Sequence, residues 1–184
     1  MEHDRRRRLR RIALVSFPLM MAGATLAIIL LQMSGYAGSV EDTQLGFNAD
    51  TIKTYFSLMD PASMALFIMG NAADYVFILF YGIFFYSTAR LISWNYREGL
   101  VERVGVSLAW IGVSAALLDG IENVFLFAMT ADPTGFPGWL AVAHSSFATA
   151  KFLFLYAAMA WTVAGFVLNR TPLSGHLVSS AKLR

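Results

Sequence analysis

The sequence predicts an all-α fold, an integral membrane four-helix bundle, and three observations carry that expectation. First, 57% of the 184 residues are hydrophobic and only 14% charged, with a mean hydropathy of +0.57, beyond ordinary soluble composition. Second, four apolar runs, about 12–33, 62–92, 104–129 and 139–168, are each long enough to cross a hydrocarbon core of about 30 Å, which takes roughly 20 helical residues. Third, the cations segregate. Twelve of the fourteen Lys and Arg residues fall on one side of this arrangement: six in the N-terminal segment, then Arg90, Arg97, Arg103, Arg170, Lys182 and Arg184.

Basic residues mark the cytoplasmic side. The opposite loops hold Glu41, Asp42, Asp50, Asp60 and Asp132 against Lys53. Both termini are therefore expected in the cytoplasm and the chain in a plasma membrane of the bacterial inner type. The expected organisation is a basic cytoplasmic segment over 1–11, a membrane domain over 12–168 and a cytoplasmic tail over 169–184. The net charge of +2 follows from this topology and does not indicate nucleic-acid binding. No cysteine is present, so disulfides and thiolate metal sites are excluded.

The opening "MEHDRRRRLRR" before an apolar run has the layout of a signal peptide. A signal's hydrophobic region spans only about 7 to 15 residues, so the longer run reads as an uncleaved anchor, with cleavage after Ala37 a lesser alternative. Arg5 to Arg11 also suit anionic lipid headgroups. From Ser34 to Asp60 the connection is polar, yet Phe47, Ile52, Tyr55, Phe56 and Met59 recur at helical spacing, which predicts a short amphipathic helix in the membrane interface. Asp60 and Pro61 read as the N-cap and first-turn proline of the second long helix. "TADPTGFPG" is a turn before the fourth. Trp139, Trp94 and Tyr96 suit interfacial anchoring.

Within these spans stand Asp74, Asp119, Glu122 and Lys151, with His144 nearer the outer end of the fourth helix. An ionised group at a span's centre costs on the order of 2.5 to 3.5 kcal/mol, while a large apolar residue returns about 0.3 to 0.6. The acids are therefore expected to face protein. Counted inward from the outer boundary, Asp74, Asp119, Glu122 and Lys151 all fall about 12 to 18 Å deep at the helical rise. Asp119, Glu122 and Asn123 share an arc of roughly 100°, as do Asn71, Asp74 and Tyr81 on the second helix, and His144 and Lys151 on the fourth. A polar cluster drawn from three helices is expected.

Three carboxylates against one ammonium leave an excess of two negative charges. In a low dielectric, a carboxyl must be protonated, a cation must enter or water must reach the site. The leading expectation is a site that binds or moves a proton, a cation or a small polar or amphipathic ligand. In it Asp119 and Glu122 share a proton or hold a cation, Lys151 is the counter-ion, and Asp74, Asn123 and Asn71 complete the wall. Two alternatives stand beside it: acid and base chemistry on a lipid or isoprenoid-like substrate, and a structural subunit whose ion pairs fix helix packing.

Asp119, Glu122 and His144 are weak metal candidates, since zinc sites favour several His or Cys ligands; His144 reads more simply as an interfacial histidine. His144 and Tyr81 join Asp74, Asp119, Glu122, Asn123, Lys151 and Asn71 as candidates for ligand or proton binding, while Asn71, Tyr81, Ser145 and Thr149 read by default as ordinary hydrogen-bond partners. Pore-loop, dinucleotide and P-loop signatures are absent and no cofactor is indicated. Acids inside a small bundle are similar in pattern to sterol-isomerase and sigma-2-type membrane proteins; the likeness stops at that pattern and implies no residue roles. Four helices are few for a complete transporter. A homodimer or larger membrane complex is a further expectation, with Gly112, Ala116 and Gly120 a contact ridge, although the ridge equally suits packing within one protomer.

Overall fold

In the computed structural model, which describes residues 2–96 and 99–168, six helices follow one another: α1 (Glu2–Met33), α2 (Val40–Gln44), α3 (Ala49–Ser57), α4 (Pro61–Ser93), α5 (Leu100–Thr130) and α6 (Gly138–Leu168). Among the described residues α1, α4, α5 and α6 are long and apolar enough to cross a membrane. Their outward faces carry large apolar side chains such as Val15, Leu79, Trp110, Leu117, Leu153 and Val163, the surface a lipid solvent requires. The expected tail over 169–184 lies outside the described residues. α1 begins at Glu2, so the basic segment forms the first turns of that helix and is continuous with it.

Local chemistry sets the helix ends. α1 stops where Gly35 takes φ 66°, a left-handed conformation that glycine adopts without a Cβ clash, and its N–H returns to the Gln32 carbonyl at 3.2 Å. Asn48 caps α3 by accepting from the N–H groups of Asp50 at 3.0 Å and Thr51 at 3.3 Å. Asn48→Ala is expected to cost about 1 kcal/mol, read as a fall in thermal stability.

Asp60 caps α4 by accepting from Ala62 N–H at 2.8 Å and Ser63 N–H at 2.9 Å, with Pro61 in the first turn. The Ser63 and then the Ala62 N–H hold the Asp60 carboxyl below the ordinary carboxylate range. A depressed folded-state value gives stability that is present above the unfolded value and lost as pH falls through the folded one. Asp60→Asn, which keeps an acceptor, is expected to flatten the acid limb of a melting-temperature profile.

The long helices do not close into a ring. α1 packs along α4, α4 also packs on α5, and α5 on α6, while α1 has little contact with the last two. The expected bundle is thus a three-helix core, α4, α5 and α6, with α1 laid on the side of α4. Small residues permit the close approach of α1: a Cβ at Gly23 would sit 2.6 Å from the Phe77 backbone nitrogen, and one at Gly70 2.9 Å from Leu31 Cγ. Backbone cannot yield as a side-chain tip can. Gly23→Leu is expected to pry α1 from α4 at a cost of about 1 to 3 kcal/mol or more, seen as a lowered melting temperature.

The ridge of Gly112 and Ala116 packs inside the protomer. A Cβ on Gly112 would meet Phe85 Cβ at 2.9 Å, and one on Gly82 would meet Ala116 Cβ at 2.9 Å. These small residues bring α4 and α5 together around the polar cluster.

Over one end of the core lies a cap made by α2, α3 and the loop before α6. A helix does occupy the connection where apolar spacing predicts one, and its apolar side is covered by protein: Ile52 and Phe56 pack with Phe67, Leu126, Met129 and Phe136. Tyr36 joins this cap, its ring 4.7 Å from that of Phe67 and its hydroxyl 2.9 Å from Thr43 Oγ1. Burial pushes the Tyr36 phenol up to about 12. The cap closes the end of the bundle near which the polar cluster lies.

Candidate functional site

Three helices deliver the cluster, each by its own periodicity. On α5, Asp119, Glu122 and Asn123 lie at i, i+3 and i+4, neighbouring positions on one face. On α6, His144 and Lys151 are seven residues apart, about two turns along the same face. On α4, Asp74 and Tyr81 have the same separation. Asp119, Glu122, Asn123, His144 and Lys151 are all buried.

Lys151 is the hub. Its Nζ donates to Asp119 Oδ1 at 2.8 Å and stands 2.5 Å from Glu122 Oε2, tying α6 to α5 through two carboxylates. The other oxygen of Asp119, Oδ2, accepts from the Tyr81 hydroxyl at 3.0 Å, which brings in α4. Asn123 donates to Asp74 Oδ2 at 3.0 Å, a second bridge between α4 and α5. Tyr75 adds a third by donating to the Gly120 carbonyl at 2.9 Å. Hydrogen bonds from both sides satisfy Asp119.

Glu122 and His144 are not satisfied in the same way. Both side chains are 0% exposed, and His144 Nε2 lies 3.4 Å from Glu122 Oε1. The Lys151 ammonium lies against Glu122 Oε2 and pairs with it, whereas Glu122 Oε1 faces His144 Nε2 without a hydrogen bond and His144 Nδ1 has no hydrogen-bond partner. Buried polar atoms left unpaired cost on the order of 1 to 3 kcal/mol each. They are uncommon, and they concentrate here at the end of the polar chain nearest the cap.

The structure departs from the sequence expectations at three positions. His144, expected near the outer boundary, is fully buried within the protein, and the Phe47 N–H donates to Ser145 Oγ at 3.1 Å, pinning the connection between α2 and α3 onto α6 beside it. Phe47 does so in the left-handed region, φ 53°, a conformation costly for a residue with a side chain. Asn71 is buried but donates to the Phe67 carbonyl of its own helix at 2.8 Å, so it braces α4 and does not join the polar wall by its amide. Asp74 is only half-buried. It is the member of the cluster that reaches the protein surface.

Sequence reasoning passed over the Phe47–Ser145 contact. Nothing in the spacing of Phe47 announces it, because it depends on a loop folding back over 98 positions of chain. Among the described residues no three His, Cys, Asp or Glu side chains converge as a metal-ligand set. The position between Asp119 and Glu122 is held by the Lys151 ammonium, which takes the place a cation ligated by these two carboxylates would need.

The arrangement is a continuous series from Tyr81 through Asp119, Lys151 and Glu122 to His144, with neighbouring polar atoms at 3.0, 2.8, 2.5 and 3.4 Å. Each neighbouring pair contains a group able to give or hold a proton. Comparison of the chain with protein-family models, curated proteins and solved structures finds no match.

Proposed function

We propose that this protein is an integral membrane protein, with both termini on the cytoplasmic side of a bacterial inner-type membrane, whose α4–α5–α6 cluster binds and exchanges a proton. The observation that carries this reading is Glu122. It is fully buried, with an ammonium against one oxygen and an imidazole 3.4 Å from the other. Asp74, Asp119 and Glu122 together exceed Lys151 by two negative charges, and a low-dielectric interior does not hold that excess. Protonation of His144 removes one and protonation of a carboxyl the other. Glu122 Oε1 and His144 Nε2 face each other at 3.4 Å, so a proton placed between them has two acceptors.

Intramembrane ionisable residues commonly serve proton relays and substrate pathways. The cap over His144 separates this end of the series from the surroundings, while half-buried Asp74 lies at its edge. The test is purified protein in liposomes carrying a trapped pH-sensitive dye, with an imposed pH gradient. Proton flux above that of empty liposomes and lost in Glu122→Gln supports the reading. Flux equal to that of empty liposomes, with the protein shown to be folded, removes a stand-alone proton path.

A second reading has its own observation. Lys151 joins α5 to α6 and Tyr81 joins α4 to α5, as interhelical bonds do in structural packing. Under that reading the cluster is neutralised without loss of function. Glu122 Oε1 and the two His144 nitrogens, which lack a hydrogen bond, favour proton binding, since a purely structural network gains most when every member is satisfied.

A further inference from the structure

A second feature lies away from the polar cluster. Between α1, α4 and α6 runs a groove of about 1030 Å³, present because α1 packs on α4 and leaves α6 apart. One end is lined by Arg6, Arg7 and Arg10 with His3, and the remainder is largely apolar, including Phe17, Phe84 and Phe166. No Asp or Glu is among the described residues that line it. The stripe on α1 runs at helical spacing: the face that presents Arg6, Arg7 and Arg10 becomes apolar one turn later and stays so through Phe17. Cationic head and apolar body thus follow one another along the groove.

Two details give the groove definition. Arg6 is held in place, its guanidinium donating to Asn95 Oδ1 at 2.8 Å, so its charge is positioned at the groove by a neutral partner. Thr88 lines the groove, 7% exposed, and its buried hydroxyl has no hydrogen-bond partner. Several other hydroxyls in the long helices bond back to their own helix: Thr25 to Met21, Ser93 to Ala89 and Thr162 to Ala158. Thr88 departs from that habit on the groove wall and keeps a donor for an occupant.

We propose that this groove is a binding site for one anionic phospholipid, its phosphate held by Arg6, Arg7 and Arg10 and its acyl chain lying along Phe17 and Phe84. Guanidinium groups match phosphate oxygens in geometry as well as charge, and a basic stretch beside a membrane attracts anionic lipid. What the groove adds is an apolar channel continuous with the cations, which selects a headgroup joined to a chain over a free anion. The inference rests on the membrane reading and is independent of proton exchange by the Glu122 cluster.

The test uses the full chain in a neutral detergent, with melting temperature followed on titration with phosphatidylglycerol, phosphatidylcholine or inorganic phosphate. Phosphatidylglycerol is expected to raise the melting temperature, and the other two to have little effect. Arg7→Gln with Arg10→Gln is expected to weaken the apparent phosphatidylglycerol affinity roughly thirtyfold. Arg5→Gln with Arg8→Gln removes the same charge from positions that do not line the groove, and is expected to weaken it far less. Thr88→Phe, which fills the groove with every arginine in place, is expected to reduce the lipid response too.

Equal responses to phosphatidylglycerol and phosphatidylcholine would overturn the proposal, as would equal losses in the two arginine pairs, which would mean diffuse attraction. An equal response to inorganic phosphate would overturn it in favour of a simple anion site. Parent protein that shows the lipid response but no proton flux above empty liposomes would overturn the proton reading alone.

Discussion

Lys151→Met is expected to destabilise the protein by about 3 to 5 kcal/mol, the cost of leaving buried charge without its partner. Lys151 contacts both Asp119 and Glu122, so its loss strands two carboxylates that are both shielded from water. Adding Asp119→Asn is expected to recover part of the loss, because Tyr81 still has an acceptor at that position and one uncompensated charge is gone. Adding Glu122→Gln as well is expected to recover most of the remainder. Thermal denaturation of the single, double and triple variants in one detergent measures this ladder. A single variant as stable as the parent would show that Lys151 is not the counter-ion of the cluster.

Glu122→Gln alone is expected to separate fold from function. The amide keeps the shape and can accept from Lys151, so stability should change by about 1 kcal/mol or less. Proton exchange should fall by a hundredfold or more, in line with the loss of a positioned proton-transfer group, because an amide neither releases nor binds a proton at ordinary pH. Liposome flux and melting temperature measured on one preparation read both effects. A large loss of stability with proportional loss of flux would make Glu122 a packing residue.

The long helices were legible because bilayer thickness imposes a length that composition reveals. Helical spacing likewise placed Asp119, Glu122 and Asn123 on one face, and the cost of lipid exposure directed them inward. Depth counting brought Lys151 to the level of the acids, and the ion pairs at 2.8 and 2.5 Å realise that meeting. Such arguments work because each uses one helix at a time, or two joined by a common boundary.

What depended on chain folding back was not legible. The burial of His144 is completed by the cap, and the cap is pinned by Phe47 in a conformation that no propensity scale favours. The open packing of α1 was hidden for a related reason: a Gly in an apolar helix says that something approaches closely, without saying what. Gly23 meets α4 and Gly112 meets Phe85, yet in sequence the two look alike. Asn71 shared a face with Asp74, but its amide found the carbonyl four residues back, a competition that side-chain periodicity does not register.

The central claim is that Glu122 and His144 exchange a proton inside the bundle, and infrared difference spectroscopy across a pH step tests it most directly. The account predicts a protonated-carboxyl stretching band that changes with pH in the parent protein, disappears in Glu122→Gln and shifts its midpoint in His144→Gln. A band unchanged by Glu122→Gln, or a parent spectrum with no pH-dependent carboxyl signal, would contradict it and leave the cluster as a fixed ion-pair network.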